Sequence, residues 1–244
     1  MPVKKNSSST ISIDHETNDN LINFYEQKAV KKYASKNYNP HFAETQISIP
    51  SRIGFIGSTG SGKTSALLNY IYRSQDTFIH IYVVYKEEEP LYLYLGDKLK
   101  DNITFYKGLD KLPNADDLPF THDGQVLLIF DDQVAEKDQS KISDYFLRGR
   151  KIGNGITIMY LSQSFYAIPK FLRQQMNYLI IVKIGSVRDL RSILKDYSLG
   201  VDIDKLVSLY KTATQTFPSF FKVALGAPPD KTFSKNFTTF LNPN

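Results

Sequence analysis

Residues 57–64 constrain the fold of this chain more than any other feature of its sequence. They read Gly57-Ser58-Thr59-Gly60-Ser61-Gly62-Lys63-Thr64 and fit the pattern G-x-x-x-x-G-K-[ST]. The apolar run Ile53–Ile56 precedes them and Ser65–Tyr72 follows with helical spacing, so they are predicted to join a strand to a helix. A glycine-rich turn without a ligand is the alternative, and the flanking strand and helix favour a phosphate-binding loop.

The residue types in this segment suit a polyphosphate ligand. Gly57, Gly60 and Gly62 can adopt backbone angles closed to other residues and place no Cβ between peptide N–H groups and an anion. Lys63 is predicted to contact the β- and γ-phosphates, and the Thr64 hydroxyl is predicted to hold Mg²⁺. The predicted ATP-binding residues are the loop and the residue after it: Gly57, Ser58, Thr59, Gly60, Ser61, Gly62, Lys63, Thr64 and Ser65.

Short apolar runs recur along the chain and indicate a buried sheet. They are rich in β-branched and aromatic residues and are apolar on both faces, which is typical of parallel strands covered by helices. The predicted strands are Ile53–Ile56, Phe78–Tyr85, Val126–Phe130, Ile156–Leu161, Tyr178–Ile184 and, at an edge of the sheet, Phe220–Leu225. Amphipathic helical patterns lie between them, including one that begins after a predicted N-cap, Asp202. We therefore predict an α/β layer sandwich with a mainly parallel sheet.

Two carboxylates follow the predicted strand Val126–Phe130. Asp131, the first residue past the strand, is placed to bind Mg²⁺ directly or through water, and Asp132 could orient and deprotonate an attacking water. Two acids that begin a solvated loop are the alternative interpretation. The segment Asp131-Asp132-Gln133-Val134 lacks the Asp-x-x-Gly signature of small GTPases, and the chain has no Asn-Lys-x-Asp guanine motif, so ATP is favoured over GTP.

A glutamine and two arginines flank the strand Ile156–Leu161. Gln163 follows the strand and could contact the γ-phosphate and the attacking water, with an ordinary loop residue as the alternative. Before the strand, a predicted helix stops at Gly149, between Arg148 and Arg150. Three interpretations stay open for these arginines: cations at a helix C-terminus, a DNA-phosphate patch, or an arginine finger for the ATP of a neighbouring subunit.

The composition limits the class of protein. The chain of 244 residues contains no cysteine, which excludes disulfides, thiolate zinc sites and cysteine nucleophiles, and its four histidines show no ligand spacing. The 30 Lys and Arg residues against 25 Asp and Glu residues give a net charge of +5, which by itself is weak evidence for a polyanionic partner. No apolar stretch approaches the length of a membrane span, so we expect a soluble intracellular protein without membrane contact.

The composition also varies along the chain and predicts four parts. Residues 1–20 are predicted to be a disordered polar tail, and residues 21–45 an arm with scattered aromatic side chains. Residues 46–225, which contain all the motifs above, are predicted to be a P-loop ATPase motor domain. Residues 226–244, with two prolines near their start, are predicted to be an irregular tail.

In combination, these segments resemble the FtsK–HerA superfamily of DNA-pumping ATPases. Within it they look most like the DNA-packaging ATPases of poxviruses, other nucleocytoplasmic large DNA viruses and virophages. The similarity spans residues 46–200, and the phosphate loop is its least specific part. The segments that carry it are Gly57–Ser65, Leu127-Leu128-Ile129-Phe130-Asp131-Asp132, Asp144-Tyr145-Phe146-Leu147-Arg148-Gly149-Arg150-Lys151 and Tyr160-Leu161-Ser162-Gln163-Ser164-Phe165, followed by Ile168-Pro169 and Arg173-Gln174-Gln175.

The resemblance implies a fold and a set of site residues. The fold is a P-loop NTPase three-layer α/β/α sandwich of the additional-strand type (RecA/FtsK-like), with the sensor strand between the phosphate-loop strand and the acidic strand. Lys63 is implied to bind phosphate and to take part in catalysis, and Thr64 and Asp131 are implied to bind Mg²⁺. Asp132 is implied to be the catalytic acid and Gln163 the sensor. Arg150 is implied to act in trans, on the nucleotide of a neighbouring subunit, with Arg148 as the alternative. Cellular members usually carry Glu as the second acid, so Asp132 is one methylene shorter.

The resemblance also implies a function, namely an ATP-hydrolysing double-stranded DNA translocase that packages the viral genome into a preformed capsid. ATP and Mg²⁺ are the implied cofactors, and double-stranded DNA and viral capsid proteins the implied partners. Such ATPases form rings, usually hexamers, with a pentamer as the alternative, in the cytoplasmic viral factory of the host and in the virion. A cellular-type FtsK/HerA-like translocase and a nucleotide-dependent capsid-assembly scaffold without significant turnover are the rival functions. The basic candidates for DNA contact are Lys137, Lys141, Lys170, Arg173, Lys183, Arg188, Arg191 and Lys195.

Overall fold

The computed structural model describes residues 23–31, 38–197 and 199–243, in two units that divide between residues 34 and 35. In the first unit, the described residues form a 3₁₀ turn at Phe24–Glu26 and one helical turn, α1, at Lys28–Lys31. The predicted tail of residues 1–20 lies outside the described residues, and the predicted arm of residues 21–45 is split between the two units. All other elements belong to the second unit.

The second unit is built on one nine-stranded sheet. In chain order its strands are β1 (Arg52–Ile56), β2 (His80–Tyr85), β3 (Ile103–Lys107), β4 (Val126–Asp131), β5 (Ile156–Ser162), β6 (Tyr178–Ile181), β7 (Phe221–Ala224), β8 (Phe233–Lys235) and β9 (Thr239–Phe240). Across the sheet the order is β3-β2-β4-β5-β1-β6-β7-β8-β9. Strands β1 to β6 pair in parallel, whereas β7, β8 and β9 are antiparallel to their neighbours. The predicted α/β fold with a mainly parallel sheet is confirmed.

Helices cover both faces of this sheet. They are α2 (Phe42–Thr45), α3 (Lys63–Arg73), α4 (Pro90–Leu99), α5 (Ser140–Arg148), α6 (Lys170–Gln174), α7 (Val187–Lys195) and α8 (Ile203–Ala213). Helices α3 and α4 share a core with Leu127 and Ile129 of β4, whereas α5 to α8 share another with Leu128 and Phe130. Because alternate residues of β4 enter two different cores, the strand is apolar throughout. In the described part of the chain, each helix is too short or too polar to cross a lipid bilayer.

Strand β5 decides which residues meet at the edge of the sheet. It lies between β1 and β4, as the resemblance implies for an additional-strand fold, and all seven of its residues are buried. In the parallel register, Ile56 pairs with Ser162 and Asp131 pairs with Leu161. The carboxyl ends of β1, β4 and β5 are therefore level, and the residues that follow them converge on one crevice.

The helix before β5 differs in detail from the prediction. Ile142, Tyr145 and Phe146 of α5 are buried as its apolar face predicts, and Gly149 follows the last residue of the helix. Gly149 is not a left-handed stop, however, because its backbone is right-handed and continues into a 3₁₀ turn. A Cβ built there would lie 3.3 Å from Cδ1 of Ile158 in β5. Glycine thus favours the close approach of this turn to the sheet, and a larger residue would need Ile158 to shift slightly.

The C-terminal region corrects two predictions. Strand β7 is not an edge strand, since it lies between β6 and β8, and residues 226–244 are not irregular throughout, since they contain β8 and β9. Phe233 of β8 is buried and its ring stacks on Phe221 of β7, with centroids 5.8 Å apart. Strands of three and two residues are too short to produce a period-2 pattern. The edge strand β3 was also not predicted, because only Ile103 of its five residues is buried and the strand therefore lacks the continuous apolar run of the inner strands.

Candidate nucleotide-binding site

The phosphate loop connects the end of β1 at Ile56 to the start of α3 at Lys63. Gly60 and Gly62 have φ angles of 69° and 95°, in the left-handed region that favours glycine. A Cβ on Gly57 would lie only 2.1 Å from Cγ2 of Val182, so this position admits no larger residue without a shift of β6 and its extension. The loop geometry therefore requires all three glycines for reasons of backbone conformation and packing.

Lys63 lies across the mouth of this loop. Its Nζ donates hydrogen bonds to the carbonyl oxygens of Gly57 at 2.9 Å and Ser58 at 3.2 Å. Burial lowers the pKa of Lys63, while the negative charges of Asp132 and Asp131 act in the opposite direction. The ammonium group is thus held between the loop and two carboxylates, where it can contact a bound phosphate.

Asp131, the last residue of β4, is tied to helix α4. The hydroxyl of Tyr92 donates a hydrogen bond to Oδ2 of Asp131 at 2.5 Å. Burial raises the pKa of Asp131 to about 6, although the hydrogen bond from Tyr92 acts to lower it. Burial and the adjacent carboxylate in turn raise the pKa of the Tyr92 phenol, which therefore stays protonated and remains a donor.

A third carboxylate, Glu89, belongs to the same site and was not predicted. The hydroxyl of Thr64 donates a hydrogen bond to Oε2 of Glu89 at 2.8 Å. Glu89 immediately precedes α4, and Pro90 is the first residue of that helix. The run Glu87-Glu88-Glu89 after the predicted strand Phe78–Tyr85 was an available signal, because acids that follow a neighbouring parallel strand reach the same edge.

Asp132, Gln163 and Thr59 form a chain of hydrogen bonds at the front of the site. Nε2 of Gln163 donates to Oδ2 of Asp132 at 2.9 Å, and the Thr59 hydroxyl donates to Oε1 of Gln163 at 2.7 Å. Asp132 has a left-handed backbone, with φ of 47°, and its N–H donates to the carbonyl oxygen of Leu161 at 3.2 Å. The side-chain amide of Gln163 therefore links the second acid to the phosphate loop.

The polar groups at this edge fit both the phosphates of a nucleoside triphosphate and Mg²⁺. The loop and the N-terminus of α3 present backbone N–H groups to an anion. The Thr64 hydroxyl and the carboxylates of Asp131 and Glu89 are oxygen donors, the type that Mg²⁺ prefers. Within the described ranges, no group of three or more His, Cys, Asp and Glu side chains could hold a metal by itself. Mg²⁺ usually combines one or two carboxylates with substrate phosphates and water.

The two candidate arginines lie away from this edge and differ in their partners. Arg148 forms ion pairs with Asp116 and, at 3.4 Å, with Asp144. The exposed Arg150 guanidinium has no hydrogen bond or ion pair with any described residue. Arg150 and Arg52 both line a cavity of about 600 Å³, and burial together with the charge of Arg150 lowers the pKa of Arg52. Since β1 begins at Arg52, Arg150 lies at the amino-terminal edge of the sheet, opposite the phosphate loop.

Three of the basic candidates for DNA contact have structural roles. Lys141 donates to the carbonyl oxygens of Leu109 and Leu112, and Arg191 pairs with Asp204. Arg173 pairs with Asp196 and stacks on two aromatic rings, those of Phe165 and Tyr166. The remaining candidates are exposed and have no ion pair with a described residue: Lys137, Lys170, Lys183, Arg188 and Lys195.

Comparison with solved structures identifies this fold. The genome packaging NTPase B204 from Sulfolobus turreted icosahedral virus 2 in complex with AMPPCP is 18% identical, the match covers 77% of this chain and 97% of B204, and the TM-score is 0.58. Its complex with sulfate gives 15% identity, 80% and 100% coverage, and a TM-score of 0.57. The cytoplasmic domain of the Thermomonospora curvata Type VII secretion ATPase EccC gives 14% identity, 78% coverage of this chain and 25% of that domain, and a TM-score of 0.50. At these identities the likeness shows the fold alone.

The family follows from the sequence itself. No curated protein sequence matches the chain. The model of the family described as Poxvirus A32 protein, by contrast, matches residues 40–219, which is most of the chain and includes the phosphate loop, Asp131, Asp132 and Gln163. The chain therefore belongs to the Poxvirus A32 protein family and is an ATPase with the P-loop NTPase fold.

Proposed function

We propose that this ATPase hydrolyses ATP with Asp132 as the catalytic acid and Gln163 as the sensor of nucleotide state. The observation that carries the proposal is the hydrogen-bonded chain Asp132–Gln163–Thr59, which joins the carboxylate to the phosphate loop. Asp132 would accept a proton from the attacking water, and Lys63 would contact the phosphates. Gln163 would exchange its present partners for the γ-phosphate and that water, and thereby respond to hydrolysis.

Mg²⁺ binding by Thr64 and Asp131 belongs to the same proposal. When bound, the ion would neutralise charge on the β- and γ-phosphates. Tyr92 holds Asp131 in one orientation, and Glu89 accepts the hydrogen bond of the Thr64 hydroxyl. Tyr92 of α4 and Glu89, the residue before that helix, thus orient the proposed metal ligands, in the way that outer groups usually orient ligand side chains.

Arg150 is the better of the two candidates for an arginine finger. Its guanidinium is exposed and without a charged partner among the described residues, whereas Arg148 is occupied by two aspartates. The position of Arg150 at the amino-terminal edge prevents contact with the phosphate loop of its own subunit. It would therefore act on the nucleotide of a neighbour, which requires an oligomer; a ring of six subunits is proposed, with five as the alternative.

The work coupled to hydrolysis is proposed to be translocation of double-stranded DNA into a preformed capsid. The family, together with the fold that the chain shares with a genome packaging NTPase, supports this assignment. The exposed lysines and Arg188 that have no charged partner are the candidate DNA contacts, and viral capsid proteins are the proposed partners. The viral factory in the host cytoplasm and the virion are the proposed locations.

The test is a DNA-stimulated ATPase assay combined with a triplex-displacement assay, in which movement along duplex DNA removes a third strand bound to it. Wild-type protein is expected to show both activities, and Lys63→Ala is expected to show neither. ATP hydrolysis that survives in Lys63→Ala or Asp132→Asn would contradict the site assignment. Tight ATP binding without turnover in the wild type would instead favour the nucleotide-dependent capsid scaffold.

A further inference from the structure

An exposed aromatic ring lies beside the phosphate loop and has no role in the chemistry described above. Phe217, in the connection between α8 and β7, is 74% exposed. A Cβ built on Gly62 would lie 3.1 Å from Cε2 of Phe217, so the ring contacts the loop where α3 begins. Single exposed rings are common on protein surfaces. The significance of this one rests on its contact with the phosphate loop.

Hydrogen bonds order the part of this connection that runs from Phe217 to β7. The N–H of Ser219 donates to the carbonyl oxygen of Thr216 at 2.7 Å, which closes a turn around the ring. The N–H of Phe220 donates to Oδ1 of Asn236 at 3.1 Å, and the N–H of Asn236 returns a hydrogen bond of 2.9 Å to Phe220. These hydrogen bonds order the backbone around Phe217, and this backbone places the phenyl ring beside the phosphate loop.

A small cavity lies next to Pro218, the residue that follows Phe217 in the chain. It has a volume of about 190 Å³, and its lining includes Ala66, Asn69 and Arg73 of α3, Pro218 and Ser219, and Asn236. Ala66 and Pro218 provide apolar walls, whereas the amides and the hydroxyl can donate and accept hydrogen bonds. A flat, partly polar ligand that lies over the start of α3 could stack on the Phe217 ring and form hydrogen bonds along its edge with these polar groups.

We propose that Phe217 is the stacking platform for the purine base of the nucleotide that the phosphate loop binds. The inference rests on the proposed function, because a base can be placed here only when its phosphates occupy the loop. Aromatic side chains bind bases through their π-faces, largely without regard to base identity. Any preference for one purine would then come from the polar groups of Asn69, Ser219 and Asn236.

The test compares ATP with inorganic tripolyphosphate, which has the same phosphates and no base. A non-hydrolysable analogue takes the place of ATP, because the wild type would turn ATP over, and binding of each ligand to the full chain is measured by calorimetry with Mg²⁺ present. Phe217→Ala is expected to bind ATP roughly ten- to a hundredfold more weakly, the usual loss for one stacked base, and to bind tripolyphosphate like the wild type. Phe217→Tyr is expected to restore ATP binding. Tyr72→Ala, at an α3 residue that is 73% exposed, is the matched control and is expected to change neither.

Each other outcome has a defined meaning. Unchanged ATP binding in Phe217→Ala would overturn the stacking role, and an altered oligomeric state in that variant would then make the ring a subunit contact. Equal weakening of ATP and tripolyphosphate would also overturn it, since the ring would only support the loop. A wild-type chain that binds neither ligand would overturn the proposed function itself, whereas the first two outcomes leave that function intact.

Discussion

The two ends of the parallel strands present opposite kinds of surface. At the carboxyl edge, the side chains of Thr59, Gln163 and Asp132 are hydrogen-bonded to one another, and Thr64 is bonded to Glu89. At the amino edge, the two arginines, Arg52 and Arg150, lie in one cavity, and neither forms an ion pair with a described residue. The polar groups of the carboxyl edge are therefore satisfied within the subunit. At the amino edge, Arg52 donates a hydrogen bond to the carbonyl oxygen of Phe146, whereas Arg150 has no such partner among the described residues.

This difference indicates that the two edges have different roles in the proposed catalysis, and we call this the division between the edges. Groups that must be held in fixed geometry around a phosphate are preorganised by contacts within one chain. Exposed positive charge without an internal partner is free to meet an anion supplied from outside the subunit. If the amino edge meets the nucleotide of a neighbour, each active centre combines the carboxyl edge of one subunit with the amino edge of another.

The strongest test of this division removes the proposed arginine finger. Arg150→Ala is expected to lower the turnover number about a thousandfold or more, because arginine fingers contribute effects of that size. Mixing Arg150→Ala with Lys63→Ala is expected to restore part of the activity, since some interfaces then combine an intact loop with an intact arginine. The steady-state ATPase rate of the mixture is the measurement.

Arg148, the other candidate arginine, provides the matched control for that test. Arg148→Ala is expected to change the rate by less than about threefold, because its exposed ion pairs with Asp116 and Asp144 contribute little. A mixture that assembles normally but stays inactive would show that Arg150 does not act between subunits. The two edges would then have no catalytic connection.

A second test concerns the carboxyl edge alone. Asp132→Asn is expected to lower the turnover number about a hundredfold or more, because the amide cannot accept a proton, while its oxygen can still accept the hydrogen bond from Gln163. ATP affinity, measured by calorimetry, should change little. Retained turnover would remove Asp132 from the proposed role of catalytic acid.

A smaller effect is expected at Glu89, the carboxylate that no sequence motif predicted. Glu89→Gln keeps an acceptor for Thr64 but removes one negative charge beside the proposed Mg²⁺ ligands. We expect the Mg²⁺ concentration for half-maximal ATP binding to rise about tenfold, which corresponds to about 1.4 kcal/mol. Glu88→Gln, at the exposed neighbouring residue, is the control. A loss of turnover larger than that of Asp132→Asn would make Glu89 the catalytic acid instead.

The last test lies outside both edges and is expected to affect stability rather than turnover. Lys222 of β7 is buried and donates to the carbonyl oxygens of Thr45 and Phe237, and burial lowers its pKa to about 8. Between pH 8 and the ordinary lysine range, the unfolded chain binds the proton that the folded chain has lost. The free energy of unfolding of the wild type should therefore rise with pH across that window relative to Lys222→Met.

Denaturant unfolding at pH 7.5 and pH 10 measures this difference. The wild type is expected to gain up to about 3 kcal/mol relative to Lys222→Met, because each pKa unit corresponds to about 1.4 kcal/mol. Tyrosines that titrate at high pH are common to both proteins and cancel in the comparison. A difference that does not vary with pH would show that the Lys222 pKa is not lowered by folding.

Much of the site could be predicted because its parts are continuous in the chain. The loop at residues 57–64 is a local motif, and Asp131 and Gln163 each follow an apolar run long enough to be recognised as a buried strand. The predicted N-cap Asp202 is confirmed by its hydrogen bonds from the N–H groups of Asp204 and Lys205. Local signals of this kind do not depend on the order of strands in the sheet.

The missed features depend on contacts between distant segments. Glu89 and Tyr92 join the site only because β2 lies beside β4, which places the start of α4 next to Asp131. The short strand β8 is recognisable only through the packing of Phe233 on Phe221. Neither contact leaves a periodic pattern in the residues that make it.

By itself, the sequence determined the phosphate loop, the identities of the acids and the glutamine, and the α/β class, because glycine placement and apolar periodicity are local physical requirements. The resemblance had implied the place of β5 between β1 and β4, whereas only the tertiary structure decided that Glu89 and Tyr92 belong to the candidate site and that Arg150 is at the opposite edge. The physical reason is that side chains meet according to strand order and register, and those follow from the packing of the whole sheet.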